Sequence, residues 1–350
     1  MDAAGLVAVV AGILAIGLLG DDGGRGQAPP PTTTPTTVGR PGPAPPLTST
    51  PASVATTPIV VGRALTQDTG TTLLVLGQGR PRLFDVDTGV LREGGPTGVD
   101  AVGVRGAFLF SDPNGVTRQP ADGGPSRPFD AEGQRLGGQL VTAGPDRVWL
   151  TTESDDGGLM ARELGADSEP THRQLSLPRG AEIEGAVDDG LVVSQFGSLT
   201  FIDADDGQGH DLGSGDVVAT GGRKVARLGC RILRCQLELV DVVTGRSVAI
   251  EGLPPIARAT GTFSASGRWL AALVVGGNDR GFLVVIDVVN HRVGPGIESG
   301  GAFAFAAYEE VLFVVESSQL RAYDLPSATR HDFPDLVLPA AQRLVAAPTA

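Results

Sequence analysis

From Ile59 onward the chain repeats one unit: an apolar strand, a short break, a second strand, then Asp-x-x-x-Gly. The clearest copies read LFDVDTG, FIDADDG, LVDVVTG, VVIDVVN and AYDLPSA, marked by Asp85, Asp203, Asp241, Asp287 and Asp324. Two degenerate copies put Pro120 and Leu164 in the gap between the first two of these. The seven markers are then 35, 44, 39, 38, 46 and 37 residues apart. Their mean of about 40 is the length of one four-stranded propeller blade. A single small sheet cannot bury both of its faces, whereas blades packed radially cover one another. The spacing therefore predicts an all-β fold, a β-propeller with seven four-stranded blades over residues 59–350. Six or eight blades are also compatible, because two markers are placed by spacing alone. Residues Ile59 to Gly62, IVVG, are a candidate for the strand that closes the ring with the last blade.

Composition agrees with many short strands and turns. Glycine makes up 51 of 350 residues, about twice its usual share, aromatics are 5%, and a hydrophobic content of 41% is enough for a core. The formal charge is −13, the pI is near 4.7, and the basic residues are scattered. A nucleic-acid partner is excluded on those grounds, since phosphate-backbone binding needs a basic patch. Lys224 is the only lysine, which is read as the mark of a GC-rich bacterial genome.

Ahead of the repeats stand two segments of different character. Ala3 to Gly20, AAGLVAVVAGILAIGLLG, is 18 uncharged residues, the short end of what spans a bilayer. With no cysteine near its end and no small-x-small cleavage site before DDGGRG, residues 1–26 are expected to be an uncleaved transmembrane signal anchor. Gln27 to Pro58 contains 10 Pro and 9 Thr among 32 residues, cannot build a core, and is expected to be a disordered, extended spacer.

A second signature precedes each marker. FSASGRWLAAL at Phe263 to Leu273 and AGPDRVWLTT at Ala143 to Thr152 each lead a Gly/Asp turn into a Trp-bearing strand, and Asp189 to Val193 is a reduced version. The phrase resembles the FSPDGRWLA of TolB-like and WD-repeat-like propellers, and the whole chain resembles the tethered extracytoplasmic propellers common in actinobacteria. Ala265 and Ser266 replace the usual Pro-Asp, and no blade ends in Trp-Asp. The resemblance implies a propeller over roughly Ile59 to Asp335. Trp149 and Trp269 are read as blade-packing residues.

Few residues carry chemistry. Cys230 and Cys235 flank four residues between two strand-like runs and suit a disulfide-clipped hairpin in an exported domain. His172, His210, His291 and His331 fall in separate blades, show no metal-site spacing and are read as solvated loop histidines. The acidic runs around Asp85 and Asp87, and around Asp203, Asp205 and Asp206, do not match a calcium loop and are read as turn residues. The sialidase-type Asp box, the complete quinoprotein repeat, the G-x-S-x-G elbow and a phosphate loop are absent; GQG at Gly77 to Gly79 has Arg82 where a third glycine would be needed.

The expectation is a membrane-anchored, extracytoplasmic, non-catalytic propeller that binds a protein, peptide or cell-envelope ligand, with no catalytic, cofactor or metal residues. Two other readings stay open. One is an extracytoplasmic enzyme of glycosidase, lyase or quinoprotein type, which convergent carboxylates or arginines in the channel would favour. The other is the sensor half of a larger membrane protein whose true start lies upstream of Met1.

Overall fold

A computed structural model of the chain describes residues 60–61, 65, 68–96, 100–112, 115–129, 138–154, 158–165, 169–231, 234–276, 281–297, 302–338 and 341–349. The expected signal anchor and the Pro/Thr spacer lie outside these residues.

The first strand, β1, is Val60–Val61. Blade 1 carries β2 (Thr71–Gly77), β3 (Arg82–Asp85) and β4 (Val90–Glu93). Blade 2 has β5 (Asp100–Val104), β6 (Ala107–Asp112), β7 (Gly115–Pro120) and β8 (Arg127–Phe129). Blade 3 has β9 (Leu140–Thr142), β10 (Val148–Glu153), β11 (Leu159–Leu164) and β12 (Pro170–Leu177). Blade 4 has β13 (Glu182–Val187), β14 (Gly190–Gln195), β15 (Ser198–Asp203) and β16 (Gly209–Ser214). Blade 5 has β17 (Asp216–Gly221), β18 (Lys224–Arg231), β19 (Arg234–Asp241) and β20 (Ser247–Ala249). Blade 6 has β21 (Ile256–Phe263), β22 (Trp269–Gly276), β23 (Gly281–Asp287) and β24 (Arg292–Ile297). Blade 7 has β25 (Phe303–Phe305), β26 (Val311–Glu316), β27 (Gln319–Asp324) and β28 (Thr329–Val337), and β29 (Ala341–Pro348) follows it.

Within each blade, neighbouring strands pair antiparallel in the order of the sequence. The innermost strands β29, β5, β9, β13, β17, β21 and β25 touch one another in turn around a closed ring. The fold is a seven-bladed β-propeller.

Ring closure departs from the sequence expectation. Val60–Val61 does pair with the last blade, lying parallel to β28 at its outer edge. The ring itself is closed by the C-terminal strand β29, which pairs antiparallel with β2 and becomes the innermost strand of blade 1. An outer-edge strand adds to one blade only; a strand shared between the two ends of the chain joins the first blade to the last. The side chain of Arg343 on β29 then bonds the Asp100 carboxylate, and through Nη2 the Ala101 carbonyl at 3.1 Å, tying blade 1 to blade 2. Gly103 on β5 is fixed by the same contact: a Cβ there would stand 1.9 Å from the Ala346 carbonyl oxygen on β29.

No single core fills the molecule; apolar clusters lie at the seven blade–blade interfaces. The second strand of each blade packs against both neighbours, so alternate residues go to opposite clusters. Leu73 and Val75 join Phe313 and Val315 of blade 7, while Leu74 joins Phe108 and Phe110 of blade 2. Trp149, 1% exposed, packs against Ile183, Leu191 and Val193 of blade 4, whereas Leu150 faces Val102 and Leu109 of blade 2. This explains the continuous apolar runs of the second strands, since such a strand has no solvent face to keep polar.

Each of the seven markers is the last residue of the third strand of its blade, including Pro120 and Leu164. The reason is local hydrogen bonding. Asp85 Oδ1 accepts the N–H groups of Asp87 and Thr88 at 3.1 and 3.0 Å. Asp241 Oδ1 likewise accepts those of Val243 and Thr244, and Asp287 Oδ1 those of Val289 and Asn290. An Asp side chain that satisfies the next two or three N–H groups specifies the turn into the fourth strand. The Thr244 N–H is the main reason the Asp241 carboxyl titrates below its ordinary value of 3.8, its partial burial opposing the shift. A depressed folded pKa means that this turn contributes its full stability above the unfolded value and loses it as the pH falls through the folded one.

The fifth position of the unit takes a left-handed backbone. Gly89, Gly207 and Gly245 sit there at φ +69°, +70° and +66°, and two copies place His291 and Ala328 at φ +52° and +53°. Non-glycine residues are strained in that region. Ala328→Gly is therefore expected to stabilise the protein by about 0.5–1 kcal/mol, seen as a higher urea midpoint with an unchanged slope.

Candidate functional site

The turns joining first to second strands all lie at one end of the ring, and their backbones and side chains link blade to blade. Gly106 N–H donates to Pro348 O at 2.9 Å, and Arg105 N–H to Pro145 O at 3.1 Å, joining blade 2 to blades 1 and 3. Arg147 bonds the Asp188 carbonyl, and Asp188 N–H donates to Gly222 O at 2.8 Å, continuing through blades 4 and 5. Gly222 and Gly267 approach closely, a Cβ on the first lying 3.8 Å from the Cα of the second.

Between blades 6 and 7 the link is the FSASGRW phrase itself. Glu310 accepts Trp269 Nε1 at 2.8 Å and Ser266 Oγ at 3.0 Å, and pairs with Arg268 at 3.5 Å. Arg268 also lies 5.0 Å from the Trp269 ring centroid, and the Ser264 Oγ accepts the Trp269 N–H at 3.1 Å. Trp269 packs against the interface of blades 6 and 7.

This end of the axis opens on a cavity of about 190 Å³. The innermost strands and turns of blades 1, 2, 3, 6 and 7 line it, through residues such as Val345, Gly103, Thr142, Thr262, Phe263 and Phe305. Apart from the Thr142 and Thr262 hydroxyls its lining side chains are apolar or absent, and none is ionisable.

Over its rim, three side chains from three blades meet. Arg105 Nη2 lies 2.8 Å from Asp146 Oδ1, Arg105 Nε donates to the Tyr308 hydroxyl at 3.3 Å, and that hydroxyl donates to Asp146 Oδ1 at 3.4 Å. Blade 7 thus reaches past blade 1 to blades 2 and 3. The Tyr308 hydroxyl first, and the Asp146 carboxylate after it, raise the pKa of the Arg105 guanidinium above its ordinary value, so this rim carries a fixed positive charge. Sequence reasoning did not single out Arg105, Asp146 or Tyr308. Asp146 lies inside the AGPDRVW phrase, which was the one available signal.

The residues singled out from sequence are dispersed. Cys230 and Cys235 face each other directly across β18 and β19 and form a disulfide, with Cα atoms 4.0 Å apart. Reducing it is expected to lower stability by about 2 kcal/mol at most, because so short a loop gains little chain entropy; thermal melting with and without reductant measures this. Asp87 accepts the Thr69 and Gly70 N–H groups at 2.7 and 2.8 Å and so holds the approach to β2. Asp205 pairs with Arg173 of blade 3 at 2.7 Å, and Asp206 accepts the Gln208 N–H at 2.8 Å.

The histidine reading holds in part: His172, His210 and His291 are exposed, as expected of solvated residues. Only His291 sits in an exposed turn; His172 and His210 are on the outer strands β12 and β16, and His331 on β28 is 8% exposed. Outer strands are polar in sequence and pass for loops, although blade 7 is covered by β1 on that side. Among the described residues no group of three or more His, Cys, Asp or Glu side chains is placed to hold a metal.

No family model and no curated protein matches the chain. Solved structures match it at the level of fold. A candidate 6-phosphogluconolactonase from Bacteroides uniformis is 11% identical, with a TM-score of 0.50, over 79% of this chain and 99% of that one. An oligogalacturonate lyase in complex with manganese is 11% identical, also at 0.50, over 72% and 84%. TolB from Acinetobacter baumannii is 11% identical at 0.41, over 79% and 65%. The two likenesses at a TM-score of 0.50 are likenesses of fold alone and agree with the propeller architecture.

Proposed function

We propose that the chain is a membrane-anchored, extracytoplasmic binding module, whose propeller presents the axial opening beneath Arg105, Asp146 and Tyr308 to a protein, peptide or cell-envelope ligand without transforming it. The observation that carries this reading is the axial cavity: its wall of small and apolar side chains suits an apolar group, and the charged groups over its rim, Arg105 and Asp146, are already paired with each other. The linked turns support the reading too, because a rigid ring of turns positions contacts at little entropic cost on binding. The disulfide supports an oxidising compartment, and the apolar segment Ala3 to Gly20 supports the anchor.

The immobilised full-length chain is expected to retain an envelope protein, peptide or wall fragment that the Tyr308→Ala variant releases, and to leave the retained molecule chemically unchanged by mass spectrometry. Release of a cleaved or eliminated product would overturn the non-catalytic reading in favour of a propeller enzyme. An alkaline phosphatase fused after Pro58 is expected to be active, and an inactive fusion would place the propeller in the cytoplasm.

A further inference from the structure

The rim cluster is more elaborate than ring stability requires. Blades 2 and 3 are already joined beneath it by the Arg105 backbone N–H on Pro145 O. The side chains of Arg105 and Asp146 remain 56% and 43% exposed, and ion pairs this open contribute little to stability because water screens them. What the cluster does achieve is to hold a guanidinium, already bearing one carboxylate, at the edge of an apolar cavity. Arg105 is two residues from Gly103, Asp146 follows Pro145 and Tyr308 follows Ala307, all three of those neighbours being part of the cavity wall.

We propose that this cavity is a binding site for an apolar carboxylate, whose carboxylate takes the place of Asp146 on Arg105 while its apolar body enters between Phe263, Phe305 and Val345. The inference rests on the binding-module reading and names its ligand chemistry. A guanidinium matches a carboxylate with two parallel N–H donors, a geometry that the single Asp146 oxygen does not use. An apolar cavity of about 150 Å³ holds a benzene ring, so about 190 Å³ admits one aromatic or branched aliphatic group. The Thr142 and Thr262 hydroxyls can bond a polar atom near that group, such as an amide. A phosphate is a poorer fit, since no cation lines the cavity to share a second charge. The same chemistry has two sources, a small free acid or the C-terminal residue of a peptide.

Titration calorimetry on the full-length chain tests the proposal with N-acetylphenylalanine, its uncharged amide, and an acetylated Gly-Gly-Phe peptide with a free C-terminus. The acid is expected to bind at least tenfold more tightly than the amide. Arg105→Gln is expected to lose that preference, and Asp146→Asn to tighten the acid severalfold by removing the competing carboxylate. A merely structural role for Asp146 would weaken binding instead, and a melting curve for each variant separates misfolding from lost recognition. Tighter binding of the peptide than of the free acid assigns a peptide C-terminus, and the reverse order a small acid.

Equal affinities for acid and amide, or no binding to either the wild type or Asp146→Asn, would overturn the proposal. That failure is distinct from failure of the binding-module reading. Capture of an envelope ligand through Tyr308 can succeed without acid selectivity, and acid selectivity can hold where the captured molecule is chemically altered.

Discussion

A chain ended at Leu338 is expected to lose the cooperative unfolding transition of the full-length protein and to be cut by protease throughout the blades. The loss is much larger than that of one edge strand. β29 is the innermost strand of blade 1, pairing with β2 from Thr71↔Pro348 to Gly77↔Ala341. It buries Leu344 against the cluster shared by blades 1 and 7, and Ala347 against the cluster shared by blades 1 and 2. Without it the inner strands β5 and β25 lose their common neighbour, and both interface clusters open to water together. Gly103→Val probes the same closure with the strand present, by pushing a side chain into the Ala346 carbonyl; a cost of about 3 kcal/mol is expected from overpacking against backbone that cannot move aside. Denaturant unfolding followed by tryptophan fluorescence reads both changes, and a truncated chain with the full-length midpoint would refute closure by β29.

Trp149→Ala is expected to cost about 3–5 kcal/mol. Trp149 is among the largest fully buried side chains and fills the interface between blades 3 and 4, where backbone ladders on both sides limit collapse into the cavity left behind. Trp269→Ala is expected to cost less. Its ring is only partly buried, and much of its role is to donate to Glu310, a bond that water can replace in part. A comparison of the two urea midpoints at equal slope tests this ranking; a smaller loss for Trp149 would mean that the interface between blades 3 and 4 repacks.

The tertiary structure supplied what no local pattern encodes. Arg105, Asp146 and Tyr308 share no motif and are separated by up to 203 residues, yet closure of the ring sets them side by side. The axial cavity draws its wall from five blades, and the Gly, Ala, Thr, Phe, Pro and Val residues that form it carry no local mark in the sequence. His331 reads as a solvated loop residue, yet it stands on the outer strand β28 and is buried.

What the sequence determined by itself is the repeat and the local chemistry that enforces it. An Asp at the end of a third strand satisfies N–H groups two and three residues ahead, so its spacing counts blades, and even Pro120 and Leu164, located by distance alone, fall on the same structural position. Two cysteines five apart on a hairpin pair because their strands face each other. These interactions span a few residues, and a short window of sequence contains all of them. Which strand closes the ring, and which turns meet over the axis, was decided only by the tertiary structure, because those contacts depend on the accumulated rotation of seven blades.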